Sequence, residues 1–149
     1  MELKIYNLSK SYGEKLALDH ISLSLTPGVY GLLGPNGAGK STFMNILVGN
    51  LPQTSGDILL NDRSVSDFGQ EYRKLLGYMP QQQIFYSFFT ARRFLEYMAV
   101  LKGMNVKQTE EEIEWLLERV ELTEHAEQKI RTFSGGMKQR LLLVQALMG

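Results

Sequence analysis

The chain has no cysteine, four prolines, two histidines and one tryptophan in 149 residues. Without cysteine there is no disulfide scaffold, no thiol nucleophile and no zinc–thiolate cluster. It also lacks net charge: 16 Lys and Arg balance 16 Asp and Glu. That balance argues against a broad basic surface for nucleic acid, but leaves room for a local phosphate site. No run of 18 apolar residues is present, so no segment reads as a membrane span. The opening Met1-Glu2-Leu3-Lys4 has no apolar signal stretch behind it. A cytosolic chain is expected, with any membrane role reached through a partner. What is present is ordinary for a globular protein, 44% hydrophobic and 21% charged. The length suits one domain with a real core.

The hydrophobic pattern changes character along the chain. Leu3 and Ile5 alternate with Glu2, Lys4 and Tyr6, and Ile21, Leu23 and Leu25 alternate with Ser22 and Ser24. Both stretches predict half-buried strands. After Pro27-Gly28, the run Val29-Tyr30-Gly31-Leu32-Leu33 predicts a strand buried on both faces of a parallel sheet. Phe43, Met44, Ile46, Leu47 and Val48 then crowd a short helix, expected to be buried nearly all round and ended by Gly49 or Asn50. Gly56 to Leu60 reads as a strand, and Leu76 to Met79 as a short one before Pro80. From about Thr90 the pattern is helical. Phe94, Met98 and Leu101 share a face, and Gly103 is the stop. Thr109 with Glu112 reads as a capping box, followed by the stripe Ile113, Leu116, Leu117 and Val120. Eight glutamates between Glu110 and Glu127, offset by Arg119 alone, read as a solvated face. Ser134 to Met148 forms an apolar last helix. Residues 85–131 read as a helical insertion between two parts of one α/β core, 1–84 and 132–149.

One segment carries chemistry by itself. Gly34-Pro35-Asn36-Gly37-Ala38-Gly39-Lys40-Ser41, followed by Thr42, fits G-x-x-x-x-G-K-[ST]. Several backbone N–H groups must point at one polyphosphate, which requires a loop without Cβ atoms in the way. The helix that begins near Lys40 adds its N-terminal dipole and free N–H groups. Lys40 supplies a point charge for the β- and γ-phosphates, and Ser41 a hydroxyl for Mg²⁺. A chance match over a chain of this length has odds of about one in two hundred. The context of an apolar run before the loop and a helix after it also fits, so nucleotide binding follows from the residues alone.

The full loop resembles the Walker A motif of ABC-type ATPases, the nucleotide-binding subunits of ATP-binding-cassette transporters. Ser134-Gly135-Gly136 before Met137-Lys138-Gln139-Arg140 resembles that family's signature motif, and Gly77-Tyr78-Met79-Pro80-Gln81 its Q-loop. Tyr12, 28 residues before Lys40, is similar to the A-loop aromatic. The resemblance spans essentially the whole chain. It implies a P-loop NTPase fold of ABC-ATPase type: an α/β core with an antiparallel β part and an inserted helical subdomain, here incomplete at the C-terminus. It implies ATP and Mg²⁺ as ligands, with Lys40, Gln81 and Ser134 as catalytic groups and Gln81 joining Ser41 at the metal. It also implies a head-to-tail pair in which Ser134 and Gly136 of one subunit close on the γ-phosphate held by Lys40 of the other.

Each motif also has a plainer reading. Tyr12 stacks on adenine or is a turn aromatic. Gln81 contacts metal-bound water or belongs to a polar loop, and with Gln82 and Gln83 behind it the register can slip by one. Ser134-Gly135-Gly136 is a second anion site or a plain N-cap. The aromatic-rich Ile84-Phe85-Tyr86-Ser87-Phe88-Phe89 receives a helix of a membrane subunit, as in the family, or packs the subdomains.

Two signature positions depart from the family pattern. Phe133 stands for Leu, and Met137 for Gln, which removes a polar side chain. A larger departure follows. In the family, a strand ending in a metal-binding Asp and a catalytic Glu comes after the signature helix, and a later loop brings a switch His. The sequence reaches Gly149 without them, and His20 and His125 both precede the signature. ATP hydrolysis coupled to transport at the cytoplasmic face of the membrane is therefore expected of a complete protein, and the 149 residues alone are expected to be inactive. The alternatives are a soluble ABC protein of ribosome or chromosome type, or a non-catalytic ATP-binding module. Only 52 residues, 82 to 133, separate Q-loop and signature, with no sustained heptads. That leaves no room for the long coiled coil of the chromosome type.

Overall fold

The computed structural model describes residues 1–80 and 86–149. These fall into two compact units, Met1–Leu75 and Leu76–Gly149. In the first, β1 (Leu3–Tyr12) and β2 (Lys15–Leu25) form a long antiparallel hairpin, joined by β3 (Ser55–Leu60) and the short β4 (Arg63–Ser64) in the order β2-β1-β3-β4. Ile5 sits opposite Leu23 on one side and Ile58 on the other. The alternation seen in the sequence thus becomes one apolar face. On that face Ile5, Leu8, Leu18 and Ile58 meet Phe43 and Ile46 of helix α1 (Lys40–Leu47). Helix α2 (Gln70–Lys74) follows, and the Tyr72 hydroxyl donates to the carbonyl of Leu47 at 2.8 Å.

Three expectations change here. Val29–Leu33 is not a strand: Val29 and Leu33 are almost fully exposed, and no described strand pairs with the run. A doubly buried parallel strand needs neighbours on both edges and a layer on each face, and this antiparallel sheet offers neither. For the same reason α1 is buried on one face alone, with Met44 exposed. Leu76–Met79 likewise carries no strand. Gly49, at φ 73°, does follow the end of α1 as expected.

The second unit holds α3 (Ala91–Lys102), α4 (Val106–Arg119) and α5 (Gly135–Leu147). Phe94, Leu95, Ile113, Leu117, Leu141 and Val144 form their common core. The Oγ1 of Thr90 caps α3 by accepting from the N–H of Arg93 at 3.2 Å, and Gly103 at φ 72° ends it. On α3 the buried stripe runs through Ala91, Phe94, Leu95 and Ala99, and Leu101 faces solvent. Thr109 is not a cap. It lies within α4, buried, and its hydroxyl donates to the carbonyl of Asn105 one turn back at 2.8 Å. The stripe Ile113, Leu116 and Leu117 is buried as the spacing predicts. The glutamate run is largely solvated, though Glu114 and Glu127 converge on Arg92 at 2.6 and 2.5 Å. They hold its guanidinium above its usual pKa, Glu127 most. The end of α5, which the sequence grouped with residues 1–84, buries Val144 and Met148 in the helical core.

Candidate functional site

The glycine loop is shaped where the chain turns into α1. Gly37 and Gly39 both lie at φ 86°, a region L-residues with a Cβ rarely occupy. Gly39 is also the N-cap of α1. A Cβ there would collide with the carbonyl oxygen of Ala17 in β2. The loop therefore rests directly on the β1–β2 hairpin. The Ala38 N–H closes a turn onto the Pro35 carbonyl at 3.2 Å. Lys40 folds back over that turn, its Nζ donating to the carbonyls of Gly34 and Pro35, both at 2.7 Å. The first-turn N–H groups of α1 have no intrahelical acceptor, and residues 34–38 are exposed. Ser41 is exposed and Thr42 half-buried beside Lys40, while Phe43 and Ile46 anchor the helix below.

A cavity of about 100 Å³ lies beside the loop, lined by Leu18, Ile21, Leu23, Leu32, Leu33 and Phe43 together with Ala38, Gly39 and Lys40 of the loop itself. Apart from Lys40 its walls are apolar, so the exposed amide side of the loop suits an anion better. The residues present fit a Mg²⁺–nucleoside triphosphate: a loop with glycine at 34, 37 and 39, a cation on a flexible stem at Lys40 and an exposed hydroxyl at Ser41. Among the described residues no group of three or more His, Cys, Asp or Glu can hold a metal. A Mg²⁺ ion here would be held by phosphate oxygens with Ser41.

Tyr12 closes β1, paired with Lys15 across the hairpin turn and half exposed. Tyr12 and the loop thus share one support, since Gly39 abuts Ala17 of the same hairpin. No motif singles out Lys10, because a lysine on a polar strand face reads as solvated charge. In the structure its Nζ donates to the Pro52 carbonyl at 2.7 Å and stands 5.4 Å from the centre of the Tyr12 ring.

The second group of residues lies in the helical unit. Ser134 is the N-cap of α5, its Oγ accepting from the Met137 N–H at 3.2 Å. Gly135 and Gly136 open the helix with nothing within 4 Å of where a Cβ would be. The N-terminus of α5 is therefore bare apart from the Ser134 cap. Phe133 is buried immediately before it, with the His125 ring edge-on at 6.5 Å. Arg140 ties the same helix to the end of α4, its Nη1 donating to the Val120 carbonyl at 2.7 Å. Gly77 lies so close to α5 that a Cβ would overlap the carbonyl of Ala146. Gln81 falls outside the described residues, as do Ile84 and Phe85. Of the remaining aromatics, Phe89 packs on the helical core, while Tyr86 and Phe88 are exposed.

Residues 18–149 match the family model described as ABC transporter. A Bacillus subtilis relative, the uncharacterized ABC transporter ATP-binding protein YxlF, is 43% identical over 98% of this chain and 48% of its own length. The chain thus spans half or less of the length of the curated relatives it matches. Among solved structures, a putative ABC transporter ATP-binding protein from Pyrococcus furiosus superposes with a TM-score of 0.84 at 26% identity, over 99% of this chain and 70% of that one. A dimeric bacterial ABC transporter cassette gives 0.81 at 28% identity, over 97% and 68%. These matches favour the transporter reading over the ribosome and chromosome types. With the glycine loop on its hairpin and the Ser134 cap in place, they establish that the chain belongs to the ATP-binding proteins of the ABC transporter family.

Proposed function

We propose that the chain is the nucleotide-holding part of an ABC transporter ATPase and binds ATP with Mg²⁺ through Gly34–Thr42. The observation that carries this reading is the pair of left-handed glycines at 37 and 39 with Lys40 folded over the loop. Lys40 exchanges its two carbonyl partners for phosphate oxygens, a charge-assisted bond in place of two neutral acceptors. The loop amides and the start of α1 hold the remaining phosphate charge, and Ser41 orients the metal. Bound Mg²⁺ supplies neutralisation of charge building on the β- and γ-phosphates. Gln81 would be the residue to contact the attacking water and the metal.

In the complete protein two copies pair head to tail, a reading supported by the dimeric state of a structurally similar cassette. Ser134, Gly135 and Gly136 of one copy then meet the γ-phosphate on Lys40 of the other. The bare start of α5 supports that role, because a helix N-terminus with free N–H groups favours an anion. The division into an ATP-binding core, 1–84 with 132–149, and a helical subdomain, 85–131, belongs to this reading. So does a peripheral place at the cytoplasmic face of the membrane. Exposed Phe88 and Tyr86, with Tyr97 edge-on to Tyr86 at 5.3 Å, form the surface we assign to a transmembrane partner. No nucleic acid is involved. These 149 residues by themselves bind nucleotide without sustaining its hydrolysis.

Pairing provides the test. Ser134→Arg in the full-length protein leaves Mg–ATP binding by each subunit unchanged and abolishes ATP-driven dimerisation in analytical ultracentrifugation. A Ser134→Arg protein that dimerises on ATP like the wild type contradicts the shared site.

A further inference from the structure

We propose that Lys10 is a positioning residue for the adenine platform: it holds the Tyr12 ring and covers one face of it, so that a purine base stacks on the other. The inference rests on Tyr12 being that platform and adds a residue that no motif includes.

Residues 10 and 12 are two apart on β1, and although the pairing with β2 shifts register between Lys10 and Ser11, the two side chains meet. A tyrosine at the last residue of a strand, half exposed, has little packing to select its rotamer. The Lys10 ammonium lies 5.4 Å from the ring centre, within cation–π range. That ammonium is itself held, donating to the Pro52 carbonyl at 2.7 Å. The segment that holds it is tied back to β1. The Thr54 N–H donates to the Ser9 carbonyl at 2.9 Å, and the Ser11 N–H donates to Thr54 Oγ1 at 3.0 Å. The backbone thus fixes a cation, the cation fixes a ring, and the ring presents one free face. A ring already in place loses less side-chain freedom when a base arrives. The ligand this favours is a nucleotide with a flat heterocyclic base, and a bare polyphosphate gains nothing from it.

That difference defines the experiment. Mg–ATP and inorganic magnesium tripolyphosphate are titrated against wild type, Lys10→Met, Lys10→Arg, Tyr12→Ala and the Lys10→Met/Tyr12→Ala double variant, each checked by its melting curve. Lys10→Met is expected to weaken ATP about three- to fivefold and to leave tripolyphosphate unchanged. Lys10→Arg retains wild-type affinity, and Lys10→Met adds no loss to Tyr12→Ala. Equal weakening of both ligands would mean that Lys10 meets phosphate instead, and would overturn the proposal. So would a loss that persists in the Tyr12→Ala background. A loss with Tyr12→Ala but none with Lys10→Met removes Lys10 and keeps the platform. ATP affinity unchanged in Tyr12→Ala removes the platform itself.

Discussion

Gly39 carries two constraints at once. Its φ of 86° strains any residue with a Cβ, and a Cβ would also overlap the Ala17 carbonyl. A flexible neighbour could yield, but a paired strand cannot. Gly39→Ala is therefore expected to cost more than the roughly 1 kcal/mol usual for glycine conformational effects. The loop must lift off β2, so nucleotide affinity should fall together with stability. A thermal melt and an ATP titration on the same sample check this, and an unchanged melt with unchanged affinity contradicts the close approach. Gly37 separates the two effects. It has the same φ but open space around it, so Gly37→Ala strains the backbone without a collision and is the milder variant. The motif pattern identifies both glycines, but the difference between them depends on Ala17, which the motif does not contain.

At the scale of elements, the start of α5 is set by two neighbours in sequence, Phe133 and Ser134. Phe133 is 5% exposed in the helical core, and Phe→Ala at such a site costs about 3–5 kcal/mol. Ser134→Ala removes one cap bond and is expected to cost about 1 kcal/mol. Denaturant melts of the two variants should therefore differ by a few kcal/mol. Equal losses would mean that Ser134 is part of the core and not an open cap. Legibility at this scale depended on which forces are local. The β1–β2 hairpin, the α4 stripe and the Ser134 cap follow from period and capping chemistry, both written in neighbouring residues. Thr109 departs from the capping pattern because its hydroxyl serves a carbonyl four residues back, and serine or threonine followed by an acid signals a helix start as well as an interior back-bond. Val29–Leu33 departs from the strand pattern because its apolar run describes a burial that needs neighbouring strands, and no described strand pairs with it.

For the whole molecule, the proposed roles divide between the two units. Tyr12, the glycine loop and Lys40 belong to Met1–Leu75, and Ser134–Gly136 belong to Leu76–Gly149. One proposed anion site falls in each, which is the arrangement a head-to-tail pair would use. The motifs single out both groups of residues, whereas Lys10 stands out only where the hairpin brings it over Tyr12. Everything proposed for pairing, turnover and transport depends on the loop holding nucleotide. The most direct test is an equilibrium titration of Mg–ATP against wild type and Lys40→Ala. Wild type is expected to bind saturably. Lys40→Ala is expected to lose at least tenfold in affinity, about 1.4 kcal/mol or more, with its melting curve unchanged. Wild-type affinity in Lys40→Ala would contradict nucleotide binding by the loop.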